Sequence, residues 1–449
     1  MMRSMFSGVS GLKAHQTRMD VIGNNVANVN TLGFKSGRVT FQEVFNQTLR
    51  GAGAPDAALG RGGTNPMQIG LGTGVGAVDT MMTRGSSQRT DNPTDLSIEG
   101  EGFFIVKGSN ADSYKFTRAG NFGLDKLGNL VSGSGMNVYG WMSYQTQIDG
   151  SVKFDTESEI KPINLYTDES NGNKRVISAK ATKNAVFAGN LDSGTSAVGD
   201  TPGDPQFSTP FTVYDSLGNA HELVINYWKT EANTSDSKWT YEVKEKTIDE
   251  DGNIEYVDVS GGGEGDLTFD SSGKLQLPTT DPATTDPVFT PIVIKSTGAD
   301  DITITPDFRS ITQFAADCSV KPTNVDGYTT GNLVTFNIGS DGILTGVYSN
   351  GQQQPLGMVA LASFSNPAGL QKIGDNLFIP TTNSGDFNKG VQAGSEGVGS
   401  LSPGTLEMSN VDLSREFTDM IITQRGFQAN SRIITTSDEM LQELVNLKR

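Results

Sequence analysis

The chain has one cysteine, Cys318, and two histidines, His15 and His221, among 449 residues. A lone thiol excludes an intramolecular disulfide framework. Neither histidine has a cysteine or second histidine at ligand spacing, so no zinc signature is present. A Cys-His nucleophile would need distant partners. His15 falls in a helical pattern and His221 begins a strand after a turn; both read as residues without a chemical role. Long apolar runs are also missing. None approaches the ~18 residues of a membrane span, and Met1 to Gly8 opens without the apolar run of about 7–15 residues that marks a cleaved secretory signal. On these totals alone the chain reads as cytoplasmic. Basic charge is scarce: 34 Lys and Arg stand against 51 Asp and Glu, a net charge of -17. Such a surface repels phosphate backbones and anionic lipid, which argues against binding nucleic acid or a membrane surface; the missing apolar runs argue against membrane insertion. It equally serves to keep a protein soluble.

Glycine is abundant. Its 54 copies exceed the usual share of about 7%. Without a collagen-like period, that density points to many tight turns between short strands. At this length two to four domains are expected.

The motifs that invite chemistry fail on inspection. Gly70-Leu71-Gly72-Thr73-Gly74-Val75-Gly76 lacks the Lys-Ser/Thr ending of a phosphate loop and suits a strand approached closely by another backbone. Asp249 to Asn253 has the wrong flanking ligands for a calcium loop and reads as a hairpin turn. Glu99 and Glu101 could serve as a carboxylate pair, but strand alternation puts them on one solvent-facing side. Ala316 to Val320 reads as a strand, with Cys318 either buried or accessible to another chain.

Periodicity separates the ends from the middle. Met5, Leu12, Met19 and Val26 recur every seven residues, widened by Phe6, Val9, Ile22 and Val29. Leu413, Met420, Phe427, Ile434 and Leu441 do the same at the other end. Asn410 or Asp412 could cap that helix, and Lys448 and Arg449 complement its dipole. Two matched stripes at opposite ends favour an antiparallel pair over separate packing on globular domains. Between them the period is two: Leu96 to Val106 reads as a strand with a glycine break, and Phe211–Tyr214 with Glu222–Trp228 as a hairpin. Asp125 to Asn129, Asp215 to Asn219 and Asp270 to Lys274 share one turn chemistry. Gly51 to Gly63 reads as a connector after the first helix, and the Pro/Thr-rich run 278–287 as a loop.

Ser10-Gly11-Leu12-Lys13-Ala14 and the run Met19 to Lys35 resemble the N-terminal segment of flagellar rod and hook proteins. Within that run the signature residues are Asn24, Asn25, Asn28, Asn30, Gly33 and Phe34. Gly404 to Ser414, with Asn410 and Asp412, and Phe417 to Asn430, with Gln424 and Arg425, are similar to the C-terminal segment of the same family. Asp95 to Phe104 and Phe116 to Phe122 match its shared β-domain. The resemblance spans about 1–145 and 310–449. A large insert, together with Asp326 to Gly331 and Gly346 to Gly351, favours the hook version over the shorter rod proteins.

The resemblance implies mainly β outer domains with an α-helical coiled-coil-like pair formed by the N- and C-terminal segments. The expected domains are a helical assembly domain (1–35 and 405–449), connectors (36–70 and 365–404), an inner β-domain (71–145 and 310–364) and an outer insert (146–309). It implies a structural subunit without enzymatic activity, metal or cofactor, which polymerises into a curved, flexible tube and carries torque as a universal joint. The implied partners are further copies of itself, the distal rod protein, hook-filament junction proteins, the hook cap and the flagellar type III export apparatus. That export route uses no cleaved signal peptide, so the cytoplasmic reading gives way to an extracellular one. The family's outer-domain cysteine crosslink is not carried over, because Cys318 falls outside the expected insert. The two stripes are expected to pack on each other, and Gly51 and Gly53 to act as hinges. A distal rod protein is the nearest alternative; an extracellular adhesive or carbohydrate-binding β-protein and a β-rich hydrolase are more remote.

Overall fold

The computed structural model describes residues 2–55, 60, 62–108, 113–147, 152–167, 172–199, 203–232, 236–248, 254–276, 289–296, 298–395 and 397–447. The turn at 249–253, the run 278–287, Lys448, Arg449 and part of the Gly51–Gly63 stretch lie outside them. The chain is mostly β, with one long helix at each end: α1 (Met2–Ala27) and α2 (Leu413–Asn446). It divides into two compact units, one of residues 1–172, 336–346 and 354–449, the other of 173–335 and 347–353.

The second unit is built on alternation, with one slip of phase between Phe308 and Ile311 where the pairing shifts register. In Ile302–Phe314, Ile302, Ile304, Phe308 and Ile311 are buried while Thr303, Thr305 and Ser310 face water. This strand pairs in parallel with Asn184–Asp192 in a four-stranded sheet. A six-stranded antiparallel sheet contains Phe207–Tyr214, Ala220–Ala232 and Asp236–Ile248. Phe187 and Phe308 from the first sheet share a core with Tyr227, Trp239 and Tyr241 from the second. Each such side chain, fully withdrawn from water, contributes about 1.5–3 kcal/mol. The expected turn between the hairpin strands forms as Asp215 Oδ1 accepts from Leu217 N (2.9 Å) and Asn219 N (2.8 Å).

Two expectations are corrected here. The boundary placed at 309/310 falls inside the strand Ile302–Phe314, because hydrogen-bonded pairing continues through it. Cys318 lies in this second unit, outside any strand. It is half-buried against the core, and its Sγ accepts from Asp192 N at 3.2 Å.

In the first unit, Phe103–Lys107 pairs with Lys115–Thr117 and Asn137–Trp141. Phe103 and Phe116 meet Phe364 edge-on, at ring separations of 5.9 and 4.8 Å, a geometry worth about 0.5–1.5 kcal/mol beyond burial. The strand with the glycine break becomes two strands, Leu96–Glu99 and Phe103–Lys107, separated where Gly100 and Gly102 take positive φ. Leu96–Glu99 pairs with Ser400–Pro403, and Ser87–Arg89 with Thr405–Glu407. These two short ladders return the chain to its own beginning.

Candidate functional site

The two terminal helices run antiparallel and meet through small and polar residues. On α1, Gly8, Gly11 and Ala14 are buried. A Cβ added at Gly11 would sit 2.9 Å from Asn430 Cγ, and one at Gly426 would sit 2.7 Å from the His15 ring. Glycine inside a helix costs about 1 kcal/mol relative to alanine, and here that cost permits close backbone approach. The seam is ordered along its length by Asn25 with Glu416 (3.1 Å), Arg18 with Asp419 (2.9 Å) and Ser4 with Ser437 (3.5 Å). Thr423 and Ser437 are buried in it, and each hydroxyl donates to a carbonyl one turn back, Asp419 O and Ile433 O. That local bonding satisfies their donors within α2, and Ser437 adds its contact with Ser4 across the seam.

This corrects the expected seam. Leu413 and Phe427 are exposed, each by 39%. Met420, Ile434 and Leu441 are half-buried, as are Met5, Leu12, Met19 and Val26. Helix spacing follows the side chains at the contact, so glycines draw the axes together; Ile434 stays against Gly8, while Leu413 and Phe427 are left at the flanks. Phe6, Phe417, Ile421 and Ile422 therefore face outward in the single chain.

Four strands form an arm beside α1: β1 (Gly37–Glu43), β2 (Asn46–Arg50), β3 (Met67–Gly70) and β4 (Thr73–Thr80), with β1 paired to β4 and β2 to β3. Asn25 fixes its root, donating to Gly37 O (2.8 Å) and accepting from Gly37 N (2.9 Å). Further along, the Phe41 ring stands 5.6 Å from that of His15, and Thr73 N donates to Ser10 Oγ at 3.3 Å. The glycine-rich stretch ends β3 and begins β4, broken at Leu71 and Gly72, and the close neighbour at Gly72 is the Ser10 side chain rather than a strand backbone. The arm's outer half is bare, with Val44, Phe45, Leu49, Met67 and Ile69 all exposed. Gly53 pairs with Thr64 near its tip, so Gly51 and Gly53 do not join a helix to a β-domain as expected of hinges.

The joint is instead a buried cluster. Lys35 Nζ donates to Glu407 Oε1 (2.6 Å) and Thr83 O (2.9 Å), and Arg118 approaches Glu407 Oε2 at 3.3 Å. Burial pushes the Lys35 ammonium below its ordinary pKa, with Glu407 opposing the shift. Burial likewise lowers Arg118, whose guanidinium also lies 5.2 Å above the Phe103 ring. Asn410 ties the same place together: its Oδ1 accepts from Ser36 N (2.7 Å) and its Nδ2 donates to Met81 O (2.8 Å). Gly33, at φ 65°, packs where a Cβ would meet Ala119 N at 2.7 Å, and its N donates to Glu407 O at 2.8 Å.

The remaining signature residues have plainer places. Asn28 Nδ2 bonds to Asn24 Oδ1 (2.9 Å), and Asn30 is exposed. Lys372 Nζ lies 4.8 Å from the Phe34 ring. Asp412, rather than Asn410, caps α2, accepting from Ser414 N and Arg415 N. Gln424 and Arg425 are exposed on α2. Sequence reasoning missed Lys35, Arg118 and Glu407 as a group. It also missed the small-residue seam, for which Gly8 and Gly11 one helical turn apart were the available signal. Among the described residues no group of three acidic, histidine or cysteine side chains is placed to hold a metal, and no helix is long and apolar enough to cross a membrane.

Comparison with known families matches four stretches of the chain in order. Residues 5–35 match the flagella basal body rod protein family and 97–167 the flagellar hook protein FlgE/F/G D1 domain. Residues 190–328 match the flagellar basal body protein FlaE D2 domain and 402–447 the flagellar basal body rod FlgEFG protein C-terminal family. The chain is 42% identical to the flagellar hook protein FlgE of Borreliella burgdorferi and 40% identical to that of Treponema pallidum, in both cases over 100% of each chain. It is 31% identical, again over 100% of each, to the flagellar basal-body rod protein FlgG of Bacillus subtilis. With hook proteins matched end to end at the higher identity, the chain belongs to the flagellar hook protein family.

Proposed function

We propose that the chain is the structural subunit of a flagellar hook, polymerising into a curved, flexible tube that carries torque from the rod to the filament. The observation that carries this reading is the outward face of the helix pair. The seam within one chain consumes small residues and leaves Phe6, Phe417, Ile421 and Ile422 in water. A large exposed apolar surface marks an interaction site, and a helical tube supplies the cover by placing further copies against it. In this reading 1–35 with 405–449 form the assembly domain, and the β-domains lie outside it. Met5, Leu12, Met19 and Val26 with Leu413, Met420, Phe427, Ile434 and Leu441 sit on flanks shared with neighbouring copies. The distal rod protein, junction proteins and hook cap meet the ends of the polymer. The chain reaches its extracellular place through the flagellar type III apparatus without a cleaved signal peptide.

Purified full-length chain in a kosmotropic salt, which strengthens apolar burial, tests this by electron microscopy. Curved tubes that disappear when 1–35 and 405–449 are removed support the hook reading. Straight tubes favour a rod component, and persistent monomers that bind carbohydrate favour an adhesive protein.

A further inference from the structure

His15 stands where three elements meet. Its ring touches α2 at Gly426, where an added Cβ would lie 2.7 Å from Nε2, and stands edge-on to Phe41 of β1 at 5.6 Å. Its Nδ1 is buried without a hydrogen-bond partner. One turn along α1, the Arg18 guanidinium lies 5.8 Å from the centre of the same Phe41 ring.

The other charges on the packed elements are occupied or turned away. On the arm, Asp79 pairs with Arg38, and Glu43 lies against Gly70. On α2, Asp419 pairs with Arg18, Glu416 accepts from Asn25, and Arg425 donates to Gln428. On α1 itself Lys13 and Asp20 are exposed. A second proton on this ring would bury an unpaired N–H and set a charge beside another cation, both unfavourable. Burial first, and Arg18 second, accordingly hold the ring below its ordinary 6.5. Once charged, the ring gains by reaching water, and one of its two walls has to move.

Those walls are held unequally. α2 is tied to α1 by Arg18 with Asp419 and by Asn25 with Glu416. The arm is tied firmly only at its root, where Asn25 bonds twice to Gly37. Beyond the root, Phe41 rests on His15 and Arg18, and Thr73 N donates to Ser10 Oγ at 3.3 Å. The arm's own ladder, with Val44 N donating to Gly72 O at 3.2 Å, needs nothing from α1.

We infer that His15 is a pH-operated latch on the arm, independently of whether the chain builds a hook. The neutral ring holds β1 and β4 down on α1. The protonated ring releases them to swing about Asn25 and Gly37, with their ladder still paired. The latch is complete above pH 6.5, weakens as pH falls from 6.5 to the value of the latched ring, and then levels off. The ratio of released to latched chain rises about tenfold for each unit between those two values.

Amide hydrogen exchange of the dilute full-length chain tests this between about pH 5 and pH 8, where a histidine titrates. Each rate is divided by that of an unstructured chain at the same pH. Thr73, whose acceptor sits on α1, is expected to lose protection on acidification. Val44, whose acceptor lies within the arm, and Gly37, whose acceptor is Asn25, are expected to keep theirs. His15→Gln, uncharged throughout, removes the pH dependence at Thr73 whatever it does to overall stability. Thr73 protection that ignores pH in the parent, or that changes equally in His15→Gln, overturns the latch. Loss at Thr73 and Val44 together means that the arm unfolds rather than swings, and overturns it as well.

Discussion

Lys35 and Glu407 meet across 372 positions of chain, with Nζ 2.6 Å from Oε1 and each side chain 1% exposed. Arg118 shares the same carboxylate, so one anion answers two buried cations. Attraction in a poorly solvated place offsets the loss of hydration only while every partner is present.

Glu407→Gln is therefore expected to destabilise the first unit by about 3–5 kcal/mol, since it leaves two buried cations without a counter-charge. Urea denaturation followed by circular dichroism reads the shift. A midpoint within error of the parent would show that the cluster contributes nothing.

Two glycines of α1 give opposite expectations for the same substitution. Gly23 is exposed, and a Cβ there meets nothing within 4 Å, so Gly23→Ala raises helix stability by up to about 1 kcal/mol. Gly11→Ala gains the same propensity but drives a methyl onto the Asn430 amide, which must move, and the net effect is a lower melting point. Thermal melts at 222 nm separate the two; equal melting points would refute a seam set by close approach.

Phe427→Asp and Ile421→Asp place charge on flanks that the single chain leaves open, Ile421 being 59% exposed. The monomer is expected to keep its fold and spectrum while tubes disappear. Normal tubes from either variant would remove the outward face from the assembly surface.

His15 connects the seam to solution pH. Burial first, and Arg18 second, lower its pKa below the model-peptide value of 6.5. The folded chain then sheds this proton more readily than the unfolded one, so stability from this group is full above pH 6.5. It falls as pH drops from 6.5 to the folded value, then levels off. With two histidines in the chain, a ring-proton NMR titration assigns His15 directly. A His15 midpoint at or above 6.5 would contradict the packing against Gly426 and Phe41.

Asp215 responds in the same sense, for a different reason. Burial alone raises its pKa, but bonds from Asn219, Ser296 and Leu217 outweigh it and hold the carboxyl at about 2. Its contribution is complete above the ordinary 3.8 and is lost as pH falls through about 2. Asp215→Ala should lower the melting point of the second unit more at pH 7 than at pH 2. An equal loss at both would separate the turn from its charge.

Local periodicity made the terminal helices, the alternating strands and the aspartate turns legible, because those patterns follow from backbone geometry within a few residues. The phase of the helix seam was not legible. A heptad counts large apolar groups, whereas contact is decided by Gly8, Gly11 and Gly426, whose signal is the absence of a side chain. The arm was misread for a related reason: Gly51 to Gly63 has the composition of a linker, and only the pairing of β2 with β3 and of Gly53 with Thr64 shows its flanks to be held together. Lys35, Arg118 and Glu407 looked like three ordinary charges, since nothing local records that strands return the chain to its start.

The uneven spacing of the buried cluster along the chain has a consequence for synthesis. A product cut short before position 407 keeps α1, the arm and Arg118, but leaves two like charges facing each other in an apolar place. Such a fragment cannot close the joint on which its first helix stands. A product that ends there also lacks all of α2, so the same last stretch of chain completes both the buried cluster and the helix pair.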